Sequence, residues 1–240
     1  MNESLPQTFT SPTARDDESD PRASHALDIS FLGISIVACG TVRAELRKLA
    51  DDGFLDADAL LFTAPGLHEW PWELKKQLPR QLAKAREHSE RVIVAYGERC
   101  FLDTDDPTRD TDALLREQGP QFRRIRAKNC VDMLADETER RRIAAGQKVY
   151  WLTPGWIAHW RYIFKDWDPG LANETFPAHD KAIVLDALGY FDTLMAESPE
   201  RILEISDWTK LPIEAAPVSL DRLKKLLAAE VTPAEVDERR

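Results

Sequence analysis

Phe31-Leu32-Gly33-Ile34-Ser35-Ile36-Val37-Ala38-Cys39-Gly40-Thr41 is a short apolar run that stops at a cysteine, a glycine and a helix-capping threonine. An unbroken apolar run of this length, bounded by turn residues, reads as a strand buried on both faces. Thr41 can cap the helix that follows, Val42 to about Leu49, with Glu45 in its first turn and Gly53 as its stop.

Working outward, the same alternation repeats. Ala59–Thr63 reads as a second strand, and Pro71–Ser89 as a long polar helix that Pro79 should kink or interrupt. Arg91–Tyr96 is the third strand and Thr111–Gln118 a short helix. Phe122–Ala127 is a fourth strand, its three arginines predicting partial exposure. Val131–Ala145 reads as helix, Val149–Leu152 as strand, and Pro154–Trp167 as helix. Ala182–Leu188 is a further strand, followed by helix Pro199–Ile205, strand Leu211–Ala215 and helix Leu220–Ala229. Strands alternating with helices predict an α/β fold: a doubly wound, mainly parallel sheet with helices on both faces, a three-layer sandwich. A tail at 1–27 and another at 231–240 flank a single domain over 28–230, with a candidate break between lobes at 168–178. Ala38-Cys39-Gly40-Thr41 carries one glycine where a dinucleotide loop needs three, which disfavours a dinucleotide-binding fold.

The chain has 240 residues, 43% hydrophobic and 31% charged, enough for a real core. A formal net charge of −10 disfavours nucleic acid and anionic membranes as partners. No apolar stretch approaches the roughly 20 residues that span a bilayer, and Met1-Asn2-Glu3-Ser4 opens no signal peptide. Three cysteines, an odd and small number, point to a reducing compartment rather than a disulfide framework, hence to the cytoplasm.

Each cysteine falls where a strand is expected to end. Cys39 closes the first run, Cys100 follows Val92-Ile93-Val94-Ala95-Tyr96-Gly97, and Cys130 follows Arg124-Ile125-Arg126-Ala127. A lone buried cysteine is usually a small hydrophobe. Three along the carboxyl edge of a parallel sheet, where open α/β folds bind ligands, suggest a site. Three sulfurs can hold zinc with an open fourth position, or carry an iron–sulfur cluster. Cys39 and Cys130 each precede a helix whose dipole would favour thiolate.

His68, in Ala64-Pro65-Gly66-Leu67-His68-Glu69, follows the second strand on the same rim. It is either the fourth ligand, an acid or base acting on a substrate, or an exposed loop residue. Trp156, Trp160, Ile163, Phe164 and Trp167 share one helical stripe, which reads as core or an interface, with an aromatic wall for a cofactor as the alternative. His159 on or near that helix could be a ligand, and reads more readily as packed. Arg140-Arg141-Arg142 reads as a solvated face, and Asp103-Thr104-Asp105-Asp106 as a loop lacking calcium-ligand spacing.

The order of these pieces resembles the family catalogued as domain of unknown function 1638, found in bacteria and archaea. The residues that carry it are Ala38-Cys39-Gly40 with Leu46, Gly66-Leu67-His68, Tyr96-Gly97 ahead of Cys100, Cys130 ahead of a helix, and Leu152-Thr153-Pro154-Gly155-Trp156. Two departures stand out. Phe101-Leu102-Asp103 follow Cys100 where the family tends to be glycine-rich, and Lys128-Asn129 precede Cys130 where it tends to have histidine.

The resemblance implies a cytoplasmic protein with three cysteines at one site, in a family that accompanies corrinoid proteins and methyltransferases of methylated-amine or one-carbon metabolism. The expected metal ligands are therefore Cys39, Cys100, Cys130 and His68. Gly40, Tyr96, Gly97, Pro154, Gly155 and Trp156 would line a pocket for a small-molecule substrate or cofactor. Three functions stay open. One is a zinc or iron–sulfur thiolate protein of corrinoid-linked methyl transfer, with the corrinoid carried by a partner. The others are a non-catalytic partner of a corrinoid methyltransferase, and a metal-free thiol enzyme.

Overall fold

The computed structural model describes residues 29–231; both expected tails lie outside them, apart from Val231, which ends the last helix. The chain is an α/β protein of parallel strands covered by helices, and its strands form two sheets rather than one.

The first sheet has the order β2-β1-β3-β4, made of β1 (Ile34–Ala38), β2 (Ala59–Phe62), β3 (Arg91–Ala95) and β4 (Phe122–Arg124), every pair parallel. All five residues of β1 are buried. Its alternation divides the core: Ile34, Ile36 and Ala38 face one helical layer, and Val37 and Cys39 face the other. The first layer is α1 (Arg43–Asp51), through Leu46 and Leu49, with Leu223 and Leu227 of α10 (Asp221–Val231). The second is α2 (Pro71–Arg86) and α3 (Thr111–Gln118), through Leu74, Leu78, Leu82, Leu114 and Leu115. Helix α2 runs through Pro79 as one element, so the expected interruption does not occur.

The second sheet has the order β5-β6-β7: β5 (Val149–Leu152), β6 (Lys181–Asp186) and β7 (Ile213–Pro217), again parallel. One face is covered by α6 (Pro154–Ile163), α7 (Pro169–Thr175), α8 (Tyr190–Glu197) and α9 (Pro199–Thr209). Leu185 on the other face packs with Leu134 and Ala135, from the segment of α4 (Cys130–Leu134) and α5 (Glu137–Ala144) that joins the sheets. The strands therefore divide between β4 and β5, upstream of 168–178. After β7 the chain returns to the first sheet, so α10 seals its core from the far end of the sequence.

Several boundaries differ from the sequence reading. The expected 131–145 helix is two helices, because Asp136 caps a fresh start by accepting from the Glu139 amide. Arg140 is not on a solvated face: its guanidinium bonds the Ala135 carbonyl at 2.5 Å and Asp132 at 3.3 Å. Thr41 does not cap α1. It lies inside a 3-10 turn, Gly40–Val42, that precedes the helix. The Trp156-to-Trp167 stripe is the core of the second sheet's helical layer, with Phe176 and Trp208 in the same aromatic cluster. His159 on that helix is exposed rather than packed.

Candidate functional site at the seam of the two sheets

The strand order places a topological switch between β1 and β3. Chain connections leave these two strands in opposite directions, so their carboxyl ends open a crevice. Cys39 ends β1 and Cys100 ends the turn after β3, so both flank that crevice. Cys39 is buried and accepts a hydrogen bond from the Thr41 hydroxyl at 3.1 Å. Cys100 is half-buried at the close of the turn Glu98–Cys100, its amide on the Gly97 carbonyl at 3.2 Å. Thr111 fixes this turn by donating to the Gly97 carbonyl at 3.0 Å and accepting from the Phe101 amide at 3.2 Å.

Cys130, half-buried, opens α4 behind the Asn129 cap, whose side-chain oxygen accepts from the Asp132 amide at 2.9 Å. It packs against the α1 side of the sheet, and Cys39 and Cys100 against the α2 side, so the sulfurs approach around the sheet edge. They sense one another. Burial pushes the Cys100 thiol far above its ordinary range, with Cys130 and then Cys39 adding to it. Burial also pushes Cys130 up to about 12, with Cys39 as the next contributor. The thiolate expected at Cys130 from a helix dipole is thus overturned. A five-residue helix has little dipole to offer, and desolvation dominates.

Tyr96, after β3, is fully buried and shares a short hydrogen bond with the Thr63 hydroxyl at the end of β2. Its ionisation is suppressed by burial first and Cys39 next. The cation that acts on Cys100 is already engaged. Arg124 lies close enough to Cys100 to favour its charged form, but holds Asp112 at 2.6 and 2.8 Å and the Ile125 carbonyl at 2.8 Å.

The second sheet brings its own carboxyl edge against this one. Thr153, after β5, donates to the Thr41 carbonyl at 3.4 Å and caps α6 by accepting from the Trp156 amide at 3.2 Å. Trp167 donates to Glu69 at 3.1 Å, and Trp70 meets Tyr162 edge-on at 5.2 Å. Tyr150 of β5 is held un-ionised by burial, then by Glu69 and Cys130, which places its hydroxyl in the field of both. Asp186, at the end of β6, spends its carboxylate on the amides of Leu188 at 2.9 Å and Phe191 at 2.7 Å.

Glu45 of α1 is different. It is wholly buried, and neither carboxylate oxygen has a hydrogen-bond partner. Burial pushes its pKa up to about 7. Its own amide offsets part of this without reaching hydrogen-bond geometry, and Asp186 across the seam adds to it.

The residues expected from the sequence to form the site take several kinds of place. Cys39, Cys100, Cys130 and Tyr96 all follow strands at the carboxyl edge of the first sheet, Cys130 on the α1 side and the other three on the α2 side. Gly40, Gly97 and Gly155 are there because backbone passes against backbone. A Cβ on Gly40 would lie 2.8 Å from the Thr63 carbonyl oxygen, and one on Gly97 would lie 2.5 Å from the Asn129 nitrogen. One on Gly155 would overlap the Thr41 carbonyl. Pro154 and Trp156 are buried; Trp156 packs on Phe164 at 5.0 Å and Tyr150 at 6.2 Å. His68 is half-exposed and turns its Nε2 to Glu69 at 3.2 Å.

The sequence reading passed over Glu45 as a site residue, yet its signal was present. The spacing 42, 45, 46, 49 sets Glu45 on the apolar face of α1 with Val42, Leu46 and Leu49. Among the described residues, no three His, Cys, Asp or Glu side chains stand ready-made to hold a metal ion, and no helix is long and apolar enough to cross a membrane. The Asp103 loop is an ion-pair knot: Lys75 at 2.7 Å and Arg109 at 2.9 Å hold its carboxyl down to about 2, together with the Asp105 amide.

Fold and site together define a two-sheet parallel α/β protein with cysteines and an unpartnered acid where the carboxyl edges meet. The family described as protein of unknown function (DUF1638) matches residues 62–227, and the chain belongs to it. Cys100 and Cys130 lie within the matched stretch, whereas Cys39 and Glu45 precede it. No curated protein and no solved structure matches the chain.

Proposed function

We propose that the seam is a thiolate site for a soft metal ion, zinc or the iron of an iron–sulfur cluster, with Cys39, Cys100 and Cys130 as ligands. One observation supports this reading: the three cysteines follow β1, β3 and β4 and so lie along the carboxyl edge of one parallel sheet, whose switch point falls between β1 and β3.

The residues fit such a group chemically. Sulfur is a soft donor, and Cys100 and Cys130, half-buried and within each other's electrostatic reach, stay protonated when alone. A divalent cation reverses that balance, because its charge makes the thiolate the favoured form. The same two raised pKa values disfavour a metal-free thiol nucleophile, which needs its thiolate at neutral pH. Bound there, the metal would supply Lewis acidity toward a thiol or amine acceptor.

The chain's own residues would do the rest. Thr41 orients the Cys39 sulfur, Tyr96 and Thr63 wall off the floor, and the Thr153 edge of the second sheet excludes water. A role in corrinoid-linked methyl transfer or one-carbon metabolism, beside a corrinoid protein or methyltransferase in the cytoplasm, is supported by the family resemblance.

Elemental analysis of protein purified anaerobically without chelators tests the site. The expected result is about one zinc per chain, or iron with acid-labile sulfide. Cys39→Ser, Cys100→Ser and Cys130→Ser should each lower occupancy to a similar degree. Metal-free protein with three titratable thiols and no uptake on reconstitution would overturn the reading.

A further inference from the structure

Glu45 poses a physical problem that the three cysteines leave unanswered. A wholly buried carboxylate normally finds donors or a cation, because an unpaired buried acceptor costs free energy. Here both oxygens lack a partner. Asp186, the other acid at the seam, has satisfied itself on two backbone amides, so the two acids are not equivalent. Glu45 also lies close enough to Cys130 to oppose ionisation of its thiol. Thr41, one turn earlier in the chain, holds Cys39 with its hydroxyl. The unpartnered oxygens thus lie on the helix whose apolar residues Val42, Leu46 and Leu49 share a core cluster with Cys130, within the electrostatic reach of its thiol.

We infer that Glu45 supplies an oxygen ligand to the metal held by the cysteines, in the fourth position otherwise open to His68. This rests on the proposed thiolate site. Zinc accepts carboxylate oxygen alongside sulfur in a four-coordinate shell, and His68 has its Nε2 on Glu69 and half its side chain in water. The donors are not gathered in advance, so the ion draws them together across the seam, from α1, α4 and the ends of β1 and β3. Metal binding therefore tightens the junction of the two sheets. Without the ion, Glu45 is a destabilising group retained for its ligand.

The experiment uses the full chain, stripped of metal and titrated with zinc, and with cobalt(II) as a spectroscopic stand-in. Glu45→Gln should weaken zinc at least about tenfold and alter the cobalt ligand-field bands, while sulfur-to-cobalt charge transfer persists. Metal-free Glu45→Gln and Glu45→Leu should be no less stable than the wild type, and His68→Ala should bind zinc as the wild type does. Wild-type zinc affinity in Glu45→Gln, with binding lost in the cysteine variants, overturns the Glu45 assignment and leaves the thiolate site standing. Weakened zinc in both Glu45 variants together with less stable metal-free forms shows a structural role and also overturns it. Unaltered zinc binding in the cysteine variants removes the thiolate site itself.

Discussion

Gly155→Ala should lower the unfolding free energy by about 2 kcal/mol, although an alanine inside a helix ordinarily stabilises it relative to glycine by roughly 1 kcal/mol. The sign reverses because of what the new methyl group meets. Gly155 is the second residue of α6, and an ideal Cβ there overlaps the carbonyl of Thr41, its carbonyl carbon 2.7 Å away. That neighbour is backbone and cannot rotate aside. Thr41 is also held from its other end, through its hydroxyl on Cys39.

The substitution must therefore push the edges of the two sheets apart or bend the turn that presents Cys39. Overpacking of this kind costs roughly 1–3 kcal/mol, and contact with fixed backbone places it at the upper end, less the helix gain. Urea unfolding reads the loss directly. Zinc uptake should fall in the same variant, because the seam no longer closes. Wild-type stability in Gly155→Ala would mean that the sheets do not meet in this way. Gly97 obeys the same logic within the first sheet, where the turn bearing Cys100 lies against the backbone before Cys130.

These glycines show where sequence reading succeeds and why it stops. The run Ile34-Ser35-Ile36-Val37-Ala38 announced a strand buried on both faces, since a sheet covered by two helical layers needs apolar side chains at consecutive positions. The cysteines were legible as strand-end residues because a parallel fold places all such ends on one edge. The division into two sheets was not legible. Pairing of β4 with β3 and of β5 with β6 depends on partners chosen in space, and Arg123 and Arg124 in a three-residue edge strand leave no local mark of that choice.

For the same reason Gly155 could be read as pocket lining. Nothing near it in sequence reveals that Thr41 approaches from 114 positions away. His159 was placed in the core by its aromatic neighbours, yet the helix turns it outward while Trp156 and Ile163 turn inward. Glu45 failed in the opposite sense. Its spacing with Val42, Leu46 and Leu49 is apolar-face spacing, but a glutamate in a first turn is an ordinary partner of the helix dipole, so its type and position alone do not mark it.

The remaining large effect is the pH dependence of the metal-free protein. Its Glu45 carboxyl is raised from an ordinary 4.5 to about 7 by burial, with Asp186 adding to it. A raised carboxyl binds its proton more tightly in the folded chain than in the unfolded one. The stability this contributes is fully present below pH 4.5 and is lost as pH rises to about 7.

At 1.36 kcal/mol per pH unit, the loss over that window is about 3 kcal/mol. Glu45→Gln abolishes the proton exchange, so the wild-type-minus-variant difference in unfolding free energy should fall by about that amount between pH 4.5 and 8. Subtraction matters, because other groups titrate in the same window: His159, lowered by burial and Arg43, is one, and subtracting the two curves cancels each of them. Parallel stability curves for the two proteins would show that water or a backbone donor reaches Glu45 after all. A difference that vanishes when zinc is added would tie the same carboxylate to the metal, since an ion that takes up its charge leaves no proton to exchange.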